Sequence, residues 1–325
     1  MRAIRIQEHG GPEVLRYDDI AMPTVAAGQA LVRLEATGVN FIDVYHRTGL
    51  YKVQFPYTLG VEGAGTVEAV APDVTSVRPG ERVVYTGPPG SHAEYAAVPA
   101  DRLVAIPPGM ETRLAAAVFL QGLTAHYLAL SAFPLKPGDT CLVHAAAGGV
   151  GLLLCQIAKR RGARVIATVS SEAKAQLARD AGADHVIIYT EQDFEAETKR
   201  LTGAAGLQVV YDSVGKTTFD KGLNLLALRG MMVLYGQSSG PVPPFDPQLL
   251  NQKGSLFLTR PTLFHYIVTR EELLARAKEL LDWVADGSLR VRIHQAYPLR
   301  DAAQAQRDLE SRATTGKLVL IPGER

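Results

Sequence analysis

Apolar and polar positions change rhythm about a third of the way along the chain. Before that point, ALVRLEATGV (30–39), GTVEAVAP (65–72) and ERVVYTG (81–87) are strand-like runs rich in β-branched residues. Paired breakers punctuate them: Gly10-Gly11, Pro79-Gly80, Pro88-Pro89 and Pro108-Gly109. The pattern predicts a compact, barrel-like antiparallel domain. After about residue 120 it predicts alternating strands and helices. Six buried strands begin at 140, 164, 185, 207, 231 and 255 (TCLVHAA, RVIATVS, HVIIY, LQVVYDSV, MMVLYG, SLFLTRP), with helices expected at 150–161, 172–181, 192–202 and 217–228. Such regular alternation predicts a doubly wound parallel sheet. In REELLARAKELLDWVADG, apolar Leu273, Leu274, Ala277, Leu280, Leu281 and Val284 recur at helical spacing. HQAYPL, a short polar helix and a closing strand, LVLIP (318–322), follow.

Composition narrows the class. A chain of 325 residues has room for two domains, and 47% hydrophobic with 21% charged residues is ordinary globular usage. A net charge of +1 and the lack of a basic patch argue against nucleic acid or an anionic membrane as partner. Two cysteines exclude a disulfide framework and suit a reducing compartment. MRAIRIQEHGGP has no apolar core of signal-peptide length. Residues 140–158 lack formal charge, but His144, Gly148, Gly149 and Gly151 interrupt them, so strand, turn and helix are expected rather than a membrane span.

The chemistry centres on LVHAAAGGVGLLLCQIAKRRGARVIATVS. Gly148 and Gly151 stand at the second and third glycines of a GxGxxG turn and Ala146 at the first, between a strand and a helix. Such a turn lets a pyrophosphate approach the backbone and meet the helix N-terminus. The second strand ends in Ser170 and Ser171 with Lys174 a turn later, which suits the 2′-phosphate of NADPH. Glu172 argues the other way, and Ser171 as a helix cap with Lys174 as a solvated charge is an equal reading. GQSSG (236–240) fits a nucleophile elbow, but Pro241, Pro243 and Pro244 block the helix an elbow requires. Gly215-Lys216-Thr217 resembles the end of a P-loop whose opening glycine would fall at Val210. There is no CxxC or HxxxH pair, and Cys141, Cys155 and His144 read as packed residues.

Across essentially its whole length the chain resembles the medium-chain dehydrogenase/reductase superfamily, and within it the zinc-free, ζ-crystallin-like quinone oxidoreductases. VNFIDVYHRTGLY (39–51), LGVEGAGTV (59–67), QGLTAHYL (121–128), HAAAGGVG (144–151), NQKGSLFLTRPTL (251–263) and ESRATTGKLVLIP (310–322) carry the resemblance. Where the superfamily's zinc enzymes place a cysteine and a histidine ligand, this chain has Asn40 and Val61, and PPGSHAEYAAVPADRLVAIPPG lacks the four-cysteine lobe. The resemblance implies an α/β fold with a GroES-like β-barrel catalytic domain (1–120 and 261–325) and a Rossmann NADP-binding domain (121–260). It also implies a cytoplasmic, metal-free NADPH:quinone reductase, homodimeric through strand 255–261, with no nucleic-acid or membrane partner.

By the same resemblance Asn40, Asp43, Tyr45 and Tyr51 line the nicotinamide and substrate cleft, with Gln121 and Thr124 at its inner wall. Gly148, Gly149 and Val150 hold the pyrophosphate, while Ser170, Lys174, Tyr189 and Arg312 surround the adenosine and its 2′-phosphate. Tyr235, Ser238, Phe257, Leu258 and Lys317 complete the crevice. For each there is a plain alternative, the aromatics as core and Arg312 and Lys317 as solvated tail charges. Tyr45, Tyr51 and Asn40 are expected to offer hydrogen bonds to a developing oxyanion. Reduction of activated enones or enoyl thioesters, and a non-enzymatic NADPH-binding role as a crystallin or nucleic-acid binder, are the alternatives.

Overall fold

A computed structural model describes residues 1–323. In chain order the elements begin with β1 (Arg2–Ile6), β2 (Arg16–Asp19), β3 (Gln29–Val39), α1 (Phe41–Thr48), β4 (Tyr57–Thr58), β5 (Glu62–Val70), β6 (Arg82–Thr86), β7 (Tyr95–Pro99), β8 (Val104–Ala105) and α2 (Thr112–Tyr127). The alternating region follows: β9 (Thr140–Val143), α3 (Gly149–Arg160), β10 (Arg164–Val169), α4 (Glu172–Asp180), β11 (His185–Ile188), α5 (Phe194–Thr202), β12 (Leu207–Asp212), α6 (Phe219–Leu223), β13 (Leu226–Leu234), α7 (Gln248–Gln252) and β14 (Phe257–Thr259). The chain closes with α8 (Arg270–Ala285), β15 (Ile293–Pro298), α9 (Ala302–Glu310) and β16 (Lys317–Ile321).

These elements form two compact units, one of Met1–Gln121 with Ile267–Arg325 and one of Gly122–Tyr266. In the first, a seven-stranded sheet runs β15-β16-β3-β5-β6-β8, with β7 also pairing β3, and a smaller sheet runs β2-β1-β4. Its centre is the long strand β3, whose Ala30, Val32 and Leu34 pack with Val67, Val83, Tyr85 and Val98. The closing strand β16 pairs antiparallel with the far end of β3, Leu318 opposite Val39. That register brings the chain's last strand to the start of α1.

The second unit is a six-stranded parallel sheet in the order β11-β10-β9-β12-β13-β14. Strand order reverses between β9 and β12, so the crevice of an open α/β sheet lies at the carboxyl ends of these strands. The β9 to α3 turn opens there. Residues 140–158 are a buried strand, a turn and the first part of α3, not a span. Among the described residues, the helical run with the length and apolarity to cross a membrane is Thr112–Ala132, and most of its apolar stretch is buried in the protein.

One helix differs from expectation. The stretch 217–228 holds only the five-residue α6, and β13 starts at Leu226. Asn224 caps α6 after Leu223, and Leu226 is then drawn into pairing with Leu207. Leu228 is left 78% exposed on the solvent side. Sheet pairing here outweighs the helical spacing of the leucines.

Candidate active site

In the first unit the site grows from the junction of β3 and α1. Asn40 ends the strand with extended backbone and stands at the helix N-cap, where its N–H donates to the Asp43 carboxylate at 2.8 Å. Glu62 opens β5 beside it, and Lys317 opens β16. All three side chains are buried. The Lys317 ammonium donates to Asn40 Oδ1 at 2.7 Å and to Glu62 Oε2 at 2.5 Å. Asn40 Nδ2 donates to Glu62 Oε2 at 3.0 Å, and Gln121 Nε2 donates to Asn40 Oδ1 at 3.3 Å. Glu62 Oε1 accepts the Leu120 N–H at 2.5 Å. One buried ion pair and two amides thus share a single hydrogen-bonded cluster.

The cluster fits because the strand beneath it has no side chain. A Cβ on Gly38 would stand 1.9 Å from Glu62 Oε2 and 2.6 Å from Lys317 Nζ. Glycine is the only residue this approach admits. The Asn40 amide, expected to face an oxyanion, has its own partners inside this cluster. A lysine ammonium only donates, so it fixes Asn40 Oδ1 toward itself and turns Nδ2 to Glu62 and to the Gly38 carbonyl, 3.4 Å away.

Behind Asn40 lies a second layer. Asp43 is fully buried, and burial lifts its carboxyl to about 7 against the pull of the Asn40 N–H, His46 and Lys317. His92 Nε2 lies 3.8 Å from Asp43 Oδ2 and 3.3 Å from the Gly38 carbonyl, and burial pushes its imidazole down to about 4. Asp43 is therefore a support of α1 rather than a lining group. The outer face of α1 is aromatic. The Tyr45 and Tyr51 rings meet edge-on at 5.3 Å, and His46 lies edge-on to Tyr51 at 6.0 Å and Tyr57 at 5.4 Å. Arg47, buried at the C-terminal end of α1, donates to Gln306 at 2.8 Å and to both oxygens of Glu310 on α9. It fixes the helix from its other end.

The second unit carries the phosphate-binding geometry. Gly148 is the N-cap of α3 and supplies no side chain, so the first-turn N–H groups of Gly149, Val150 and Gly151 keep no capping acceptor. A Cβ on Gly151 would meet the Ala145 carbonyl at 2.4 Å and Ala146 Cα at 2.7 Å, which is the close helix-to-strand contact a dinucleotide turn needs. Ala145 itself sits in the left-handed region at φ 51, strain placed at the turn. These residues fit a pyrophosphate.

Ser170 follows β10, and its carbonyl accepts the Thr190 hydroxyl at 3.1 Å, so Ser170 and the neighbouring Tyr189 share the rim of β10 and β11. Tyr189 is 42% exposed and borders a shallow depression of about 340 Å³ lined also by Glu191, Phe194 and Lys221. Lys174 lies in the first turn of α4, half-buried. Glu172 turns along its own helix to Arg179, 2.5 Å away. Tyr235 and Ser238 follow β13, tied by their N–H groups to the carbonyls of Asp212 and Ser213. Thr124 is buried within α2. On the edge strand β14, Phe257 is 56% exposed opposite Met231, while Leu258 packs on the core. Arg312 lies exposed in the turn before β16 at φ 61. No helix follows GQSSG before α7, so the elbow geometry is absent there.

Of the expected residues, the fold joins Asn40, Gln121 and Lys317 directly, with Asp43 on the Asn40 backbone and Tyr45 against Tyr51. Glu62 and His92 were not anticipated. The one available signal for Glu62 was a lone carboxylate in the apolar run LGVEGAGTV.

One unit with a parallel sheet and a glycine turn at its switch point, and one barrel-like unit with a buried polar cluster, are the two parts of a medium-chain dehydrogenase/reductase. Two family models match, "Alcohol dehydrogenase GroES-like domain" over residues 26–108 and "Zinc-binding dehydrogenase" over 149–286. The quinone oxidoreductase of Pseudomonas aeruginosa is 45% identical, with 99% of each chain covered. A 2-haloacrylate reductase of a Burkholderia species is 40% identical, with 98% of each chain covered. The crystal structure of Escherichia coli quinone oxidoreductase complexed with NADPH superimposes with a TM-score of 0.97 at 44% identity, over 99% of this chain and 100% of that one. The chain belongs to the quinone oxidoreductase family of this superfamily.

The second model's name raises zinc. The residues of the buried cluster do not fit it: Asn40 and Val61 offer no thiolate or imidazole, and the Glu62 carboxylate is already paired with Lys317. Among the described residues no group of three His, Cys, Asp or Glu side chains converges.

Proposed function

We propose that the protein is an NADPH-dependent quinone oxidoreductase that works without a metal. The observation that carries this reading is the Glu62–Lys317–Asn40–Gln121 cluster, an internal cation in the region where the superfamily's zinc enzymes hold their metal. Without a Lewis acid, the substrate must accept hydride readily, as a quinone does. The names of the Pseudomonas aeruginosa and Escherichia coli relatives, and NADPH in the structure of the latter, support it. NADPH, when bound, supplies the hydride.

The chain's own residues bind and orient. In the reading proposed here, the unit Gly122–Tyr266 binds the dinucleotide, with the N–H groups of Gly149, Val150 and Gly151 on the pyrophosphate. Ser170 and Lys174 receive the 2′-phosphate, because Glu172 is engaged by Arg179 and turned from that role. Tyr45 and Tyr51 offer phenol groups to the quinone oxygen. A direct test is steady-state reduction of a quinone panel against simple aldehydes and alcohols, with NADPH and NADH. Quinone reduction should dominate, and alcohol oxidation at comparable rates would refute the reading.

Lys174→Ala should weaken NADPH binding about tenfold, since a charge-assisted contact at a half-exposed lysine delivers about 1.4 kcal/mol. NADH binding should hardly change. Titration calorimetry reads both, and an equal loss for the two cofactors would remove Lys174 from the phosphate.

The Burkholderia relative's name favours a second reading, reduction of an activated alkene. Acrylates and enones in the same panel decide between them. Self-association through β14 is proposed because this strand ends the parallel sheet with Phe257 exposed. Sedimentation should give a dimer at micromolar concentration; a monomer counts against it.

A further inference from the structure

We propose that Lys317 is a positioning residue for the reduction: its ammonium, anchored by Glu62, locks the Asn40 amide in one orientation and through it sets the amide of Gln121. The inference rests on the quinone reductase reading above. Lys317 has three donors and no acceptor, and is 1% exposed. It commits Asn40 Oδ1 at 2.7 Å, and Gln121 Nε2 shares that oxygen at 3.3 Å. A flipped Asn40 would set Nδ2 against the ammonium and Oδ1 against the Glu62 carboxylate, two repulsive contacts in place of two attractive ones. Glu62 acts on Gln121 by a second route. Its Oε1 holds the N–H of Leu120, the preceding residue, at 2.5 Å. Side chain and backbone of Gln121 are therefore tied to the same ion pair.

Gln121 is the half-buried member of a cluster whose other three side chains are sealed. Its Oε1 and second N–H are not used within the cluster, so it is the amide that can meet a ligand. A buried ion pair is a poor source of stability, because desolvation offsets most of the attraction. Its value here lies in orientation.

Four variants test this, each compared with wild type on the quinone, or failing that the activated alkene, that wild type reduces best. Absence of quinone reduction in wild type would defeat the functional reading and leave the comparison of variants intact. Lys317→Met alone buries an unpaired carboxylate and should be strongly destabilised. Glu62→Gln with Lys317→Met removes both charges at nearly constant shape, and should fold with a Tm near wild type, bind NADPH normally and lose about tenfold in kcat. Asn40→Ala leaves the ion pair and should lose a similar factor. The triple variant should fall no further than about tenfold, because the losses pass through one amide. Wild-type kcat in the double variant, or losses that multiply to about a hundredfold, would overturn the proposal. So would failure of the double variant to fold, which would assign the pair to stability alone.

Discussion

Gly151→Ala should lose NADPH affinity by about a hundredfold or more and also destabilise the protein by about 1–3 kcal/mol. The new Cβ would meet three backbone atoms, the Ala145 carbonyl oxygen at 2.4 Å and Ala146 Cα and C at 2.7 and 2.8 Å. None of these is the end of a flexible side chain, so the turn or the first turn of α3 must move. Ala145 already occupies the left-handed region and has little freedom to give way. A tilt of the first turn misaligns the N–H groups of Gly149, Val150 and Gly151, on whose convergence anion binding at a helix N-terminus depends. Gly148→Ala provides the contrast. Its Cβ would lie 3.1 Å from the Ala145 carbonyl, a contact that a few tenths of an ångström relieve. That variant should keep most of its stability and still bind NADPH weakly, because the methyl occupies the backbone's approach to the phosphate. Thermal unfolding without ligand and calorimetric titration separate the two effects. Wild-type NADPH affinity in Gly151→Ala would remove the turn from the cofactor.

The second unit was far more legible in the sequence than the first. Its central strands β9, β10 and β12 are buried on both faces, so each reads as a nearly unbroken apolar run, and the glycine turn carries its own chemistry. The expected helix at 150–161 is offset from α3 by one residue, and that at 172–181 runs one residue past α4. The stretch 217–228 misled because Leu223, Leu225 and Leu226 suit either a helix or a buried strand, and only pairing with β12 decides. In the first unit, α1 was missed since its eight residues present an aromatic face rather than an aliphatic stripe. The apolar helix α2, buried along most of its length, lacks the polar face that marks a surface helix.

The candidate cluster was legible only in part by residue, and not by arrangement. Asn40, Gln121 and Lys317 were expected separately, at positions 81 and 277 residues from Asn40, and no local pattern joins them. The antiparallel pairing of β16 with β3 and of β3 with β5 brings Lys317, Asn40 and Glu62 together, and the bond from the Leu120 N–H to Glu62 brings Gln121 to them. Asn40 stands where that pairing converges: its oxygen accepts from Lys317, and its Nδ2 donates to Glu62.

Asp43→Asn should change the pH dependence of stability more than its size suggests. In wild type, burial raises the Asp43 carboxyl from its ordinary 3.8 to about 7. A raised folded-state value contributes stability that is fully present below 3.8 and is lost as pH rises through about 7. The loss between pH ~4 and pH ~8 amounts to roughly 4 kcal/mol. His92 works in the opposite direction: pushed down to about 4, it contributes stability present above its ordinary 6.5 and lost as pH falls through about 4. The two opposed slopes largely cancel in wild type across the mildly acidic range. The groups around Asp43 are His92, His46, Glu62, Lys317 and the Asn40 N–H, and all of them persist in the variant. Asparagine removes only the carboxyl's slope, and its carbonyl can still accept the Asn40 N–H. The stability of the variant relative to wild type should therefore rise by roughly 4 kcal/mol between pH ~4 and pH ~8, whatever constant offset the buried amide adds. Urea unfolding across that range measures it. A difference that stays flat with pH would mean that Asp43 keeps its charge in the folded protein, and that His92 and Lys317 compensate it fully.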